Sequence, residues 1–211
     1  MTSVRTAGLR RRDSDPTGLV GQLQAAWVAS DSNGNGNSVF VNIPGIPILT
    51  FAKTNYNKTL PTYCSACKSN SLDVPISALG KDVPTRIVTY LRANTDVKYV
   101  VMSTDSLAIG LPAALKAAGM NDIKIVGQGA TATNLQYLKG GQQAVSVAFP
   151  FYESMMMMLD AVVRKVAGKA IIPSVTPPQW LLTRDNAPDT DKIFPIVADV
   201  VDQFKKLWGV S

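Results

Sequence analysis

Histidine is absent from this 211-residue sequence, and with it go the commonest general base and the commonest metal ligand. A serine triad or a histidine-based zinc site cannot form within the chain. Cysteine occurs only as Cys64 and Cys67, so no second pair is present to complete a zinc set. No uninterrupted apolar run reaches the roughly 18 residues that a membrane-crossing helix needs. Charged residues are scarce, at 17% against 46% hydrophobic, a balance that points to a soluble globular α/β protein.

The net charge of +6 raises the question of an anionic partner, and its location answers it. Arg5, Arg10, Arg11 and Arg12 crowd the first dozen residues, without the roughly 7–15-residue apolar stretch of a secretory signal. Residues 1–16 therefore read as a disordered leader. Further on, lysines mingle with acids and no basic stripe is interleaved with aromatics, so nucleic acid is not an expected partner.

From residue 17 onward, helix-period and strand-period segments alternate. Helices are predicted over 17–30, from Pro47 to Leu60, and over 83–93, 105–118, 132–139, 150–167 and 195–208. Strands are predicted over 38–43, 71–75, 97–102, 123–127, 143–148 and 179–183. Pro112 falls inside the fourth helix and should kink it or displace its start. Strands joined by helices favour right-handed crossovers. The expected fold is therefore α/β: a doubly wound, mostly parallel sheet of five to six strands with helices on both faces. Residues 17–168 form the expected α/β body, and the proline-rich stretch 169–211 reads as a connector with a final helix.

The segment VKYVVMSTDSLAIGLPAALKAAGMNDIKIVG (97–127) is one strand–helix–strand unit. Open parallel sheets bind ligands just outside the carboxyl ends of their strands, so Ser103, Thr104, Asp105 and Gln128 stand at candidate positions. Thr104 and Asp105 are also residue types preferred as helix caps, and capping can coexist with ligand contact. The CSAC pair reads either as a short-range disulfide or as two free thiols. Residues 31–37 (DSNGNGN) read as a turn, since a phosphate loop would end in GK[ST] and open a helix. Met155, Met156, Met157 and Met158 cannot share one helix face, leaving core filling or a docking surface open.

Three segments together, 97–119, 123–131 (IKIVGQGAT) and 140–153 (GGQQAVSVAFPFYE), resemble the type I periplasmic solute-binding proteins of the ribose- and galactose-binding group. That group shares its fold with the sensor domains of lactose-repressor-type regulators. The resemblance runs over about residues 17–185 and matches the second of the two lobes between which members clamp ligand. It implies a C-terminal lobe without its partner lobe. Further implications are non-catalytic binding of a small polar solute such as a sugar or polyol, an ABC permease as partner, and an extracytoplasmic place for the full-length parent. No cofactor or metal is implied. The ligand-binding candidates it marks are Thr104, Asp105, Gln128 and Phe149, with Phe151 and Tyr152 beside the last. Many sugar binders carry an aspartate where this chain has Gly129, which argues against an ordinary pentose or hexose. An exposed lobe face could support a homo-oligomer. A ligand-responsive regulator is the competing reading, although residues 1–16 are too short for a helix-turn-helix.

Overall fold

Six strands form one sheet in the order β2-β1-β3-β4-β5-β6. They are β1 (Ser38–Asn42), β2 (Ser69–Asp73), β3 (Tyr99–Met102), β4 (Lys124–Gln128), β5 (Val145–Ala148) and β6 (Trp180–Leu182). The first five run parallel and β6 closes the edge antiparallel to β5. Seven helices lie among the described residues: α1 (Pro16–Asp31), α2 (Pro47–Tyr63), α3 (Val83–Ala93), α4 (Leu111–Ala117), α5 (Ala132–Lys139), α6 (Phe151–Val166) and α7 (Val200–Trp208). The structure is a computed structural model and describes residues 16–172, 177–195 and 197–210. The expected leader lies outside these residues except for Pro16, which opens α1.

Strands β1, β3, β4 and β5 are buried throughout apart from Lys124 at the start of β4. Such continuous apolar runs, without alternation, suit parallel strands covered on both faces. Alternate residues feed two cores. Phe40, Val101 and Val126 pack with Ala25, Val28, Ala52 and Tyr56 of α1 and α2. Val41, Val100 and Met102 pack on the other face with Ile87 and Leu91 of α3 and with Leu111 of α4. Leu135 and Leu138 of α5 cover the β5–β6 end.

Four helices place proline within their first two residues, at Pro16, Pro47, Pro84 and Pro112, where the missing N–H would have had no partner. This resolves the fourth predicted helix. Residues Asp105–Ala108 form a separate 3-10 turn, Gly110 takes a left-handed conformation with φ 78°, and α4 begins at Leu111. Pro112 thus displaces the helix start instead of kinking a continuous helix. The second predicted strand sits two residues earlier than expected, and the last helix begins at Val200, not 195. Cys64 and Cys67 are disulfide-bonded at the end of α2, and residues 31–37 lead by a turn into β1.

Candidate functional site

In this strand order the chain moves outward from β1 to β2, then crosses back over β1 to lay β3 on the other side. The helix layer changes with it, α2 covering one face and α3 the other. A crevice opens where two such windings diverge, outside the carboxyl ends of β1 and β3. A cavity of about 720 Å³ lies there. Thr104 and Ser106 enter it after β3, Gln128, Gly129 and Thr131 around the end of β4, and Phe149 after β5.

Thr104, Gln128 and Phe149 are therefore brought together on one cavity. Thr104 has extended backbone and makes no side-chain cap bond to the turn that follows, leaving its hydroxyl to the cavity side. Gln128 donates through Nε2 to the Ser103 carbonyl, which holds its side chain across from β4 to β3. Phe149 stacks edge-on with Phe151, ring centroids 6.1 Å apart. Tyr152 is 55% exposed and does not line the cavity.

Asp105, the fourth residue expected at the ligand, is not brought to the cavity with the other three. It is fully buried and does not line the cavity. Its Oδ2 accepts from the Ala130 backbone N–H at 2.8 Å and the Ser146 hydroxyl at 2.5 Å, while Oδ1 accepts from Gln143 Nε2 at 2.8 Å. Asn134 ties the same cluster together, donating to the Asp105 carbonyl and to Gln143 Oε1. The side chain has turned inward beneath the strand ends because three donors are waiting there. Its bond to Ala130 anchors the loop after β4 that carries Gly129 and Thr131, directly beyond Gln128.

Burial pushes the Asp105 carboxyl above its ordinary value, opposed by the bonds from Ser146, Gln143 and Ala130. The folded chain then keeps a proton that the unfolded chain gives up above about pH 3.9. Stability from this group is complete below that pH and falls as pH rises through the elevated folded value, by at most about 1.4 kcal/mol per pH unit. Urea midpoints for wild type and Asp105→Asn between pH 4 and 8 check the sign: the advantage of wild type should shrink as pH rises, and a constant gap would contradict it.

Ser106, Thr131, Ile171 and Ile172 are among the further lining residues that were not anticipated from sequence. Ser106 and Thr131 had a usable signal, since they lie four and three residues beyond the carboxyl ends of β3 and β4. The isoleucines had none, because a proline-rich connector gives no periodicity from which to infer where it folds back. Met157 and Met158 of α6 line the cavity, while Met155 is half exposed on the same helix. α7 is joined to α6 through Asp160, which accepts from Trp208 Nε1 at 2.9 Å and from Arg164 Nε at 2.7 Å.

A family model described as "Periplasmic binding protein domain" matches residues 18–170. Among solved structures, an ABC transporter periplasmic solute binding protein from Actinobacillus succinogenes 130z with bound D-allose superimposes at TM-score 0.71 and 16% identity. The match covers 82% of this chain and 61% of that one. A periplasmic ribose ABC transporter protein from Conexibacter woesei matches at TM-score 0.68 and 20% identity, over 81% of this chain and 58% of that one. The Caulobacter myo-inositol binding protein bound to myo-inositol matches at 0.69 and 23%, over 82% and 60%. The chain thus spans about three fifths of the length of these structures, and at such identities the likeness is one of fold.

Proposed function

We propose, from the premise that the chain belongs to the periplasmic binding protein domain family over residues 18–170, that it binds a small uncharged solute without transforming it. The solute class is a sugar, polyol or related compound, and the binding body is residues 17–168, with 169–211 as connector and closing helix. The observation that carries this reading is the convergence of Thr104, Gln128 and Phe149 on one cavity at the sheet's switch point. Thr104 and Gln128 supply hydroxyl and amide groups that both donate and accept, and Phe149 supplies an apolar face for ring C–H groups. None of the described residues lining the cavity carries a titratable group, which supports binding in place of acid–base chemistry. Asp105 acts from behind, by positioning the β4 loop.

The fuller role is the substrate-binding component of an extracytoplasmic ABC importer, with a membrane permease as partner. The family supports it, as do neighbours described with D-allose and myo-inositol. Titration calorimetry with D-allose, D-ribose and myo-inositol is the first test. Thr104→Val or Gln128→Ala should each weaken binding by about 1–2 kcal/mol, roughly five- to thirtyfold. No binding of any solute, or affinity indifferent to both substitutions, would remove the reading.

A further inference from the structure

The walls of the cavity differ in chemistry. The wall built from the strand ends presents Thr104, Ser106, Gln128 and Thr131, whereas the wall built from α6 and the connector presents Phe151, Met157, Met158, Ile171 and Ile172. Ser154 interrupts the apolar side, but its hydroxyl already donates to the Pro150 carbonyl at 2.7 Å. Gln179 lies on the connector side as well. No Asp, Glu, Lys or Arg lines the cavity among the described residues. Gly129, which also lines the cavity, has backbone φ +114° and sends no side chain into it.

A bare sugar or polyol carries hydroxyl groups around its whole rim. Seated here, those turned toward α6 would lose water without gaining a partner, and an ion would fare worse. A molecule with one hydroxylated edge and one apolar face meets both walls on their own terms. The volume of about 720 Å³ falls within the roughly 300–1,000 Å³ usual for drug-sized ligands, leaving room for more than a single sugar ring.

We propose that the solute is an uncharged amphipathic compound of the glycoside type: a hydroxylated head held by Thr104 and Gln128, and an alkyl or aryl substituent laid against Met157, Met158 and Ile172. This rests on reading the cavity as the solute site and narrows what it selects. Calorimetry on the full chain with methyl β-D-glucoside, hexyl β-D-glucoside, hexan-1-ol and hexyl sulfate, beside myo-inositol, D-allose and D-ribose, tests it. Hexyl glucoside should bind at least about 30-fold more tightly than methyl glucoside, since five further methylenes leave water, and more tightly than hexan-1-ol or hexyl sulfate. Met158→Ser and Ile172→Ser, at positions 66% and 52% exposed, should shrink the hexyl-to-methyl ratio. Thr104→Val should weaken both glucosides alike.

Equal affinity for the two glucosides, or for hexyl sulfate and hexyl glucoside, overturns this inference. So does binding of the bare sugars or myo-inositol without hexyl glucoside, an outcome that leaves the solute-site reading standing. Silence from every probe removes both.

Discussion

Gly21→Ala should lower the unfolding free energy by about 3 kcal/mol, the upper part of the range for overpacking a tight interior. Local helix rules point the other way, because alanine in a helix interior is favoured over glycine by roughly 1 kcal/mol. The sign is reversed by what lies across from it. A Cβ at Gly21 would overlap the Ala52 carbonyl oxygen and stand 2.8 Å from the Tyr56 amide nitrogen. Both are backbone of α2, so no rotamer change can relieve the clash and the helix axes must part. Ala52 lines the cavity and Tyr56 is fully buried under the sheet, so separating the helices also deforms the floor of the site. Gly18, one turn earlier, is the internal control: its nearest neighbours are the Phe51 ring and Asn55 side chain at 3.2–3.3 Å, which can give way. Urea unfolding followed by circular dichroism should therefore show a large loss for Gly21→Ala and a small change of either sign for Gly18→Ala. Equal behaviour of the two would contradict the close-crossing account.

What could be read from the sequence divides along a physical line. Features set by neighbours in the chain were legible. The fifth helix occupies residues 132–139 as predicted, because Leu135 and Leu138 sit on one face and glycine ends it. Pro47 opens α2 as expected. The strand ends that carry Thr104, Gln128 and Phe149 were visible as apolar runs broken by polar residues. Features set by distant partners were not. β2 is an edge strand with largely exposed side chains, so its pattern holds no register information, and pairing of Ser69 with Ser38 determines it. Gln24, Asn134 and Gln143 look like surface polar residues in their segments. All three are buried, and the bonds that make this affordable reach residues 9 to 103 positions away. The same non-locality turned Asp105 inward while leaving Thr104 at the cavity.

Asp105→Ala should destabilise by about 3–5 kcal/mol, the cost of removing one partner from a buried polar cluster and stranding the others. The Ala130 N–H, the Gln143 amide and the Ser146 hydroxyl all lose an acceptor at once. Because Ala130 belongs to the loop between Gln128 and Thr131, solute affinity should fall as well, although Asp105 lies outside the cavity lining. Gly127 gives this prediction a sharper form. A Cβ there would overlap Asp105 Oδ1 and come within 2.5 Å of Gln143 Nε2, so Gly127→Ala in the wild-type background should also cost several kcal/mol, roughly as severe overpacking does. With Asp105 already reduced to alanine, the carboxylate oxygen is gone and the new methyl enters vacated space. The double variant should therefore be more stable than the sum of the two losses implies, by at least about 1 kcal/mol of coupling. Additive losses would mean that Gly127 and Asp105 do not share that space. A coupling of the expected sign, together with unchanged coupling between Gly127 and the distant Gly21, would place the close approach of Asp105 to β4 at the centre of what holds the site's loop in place.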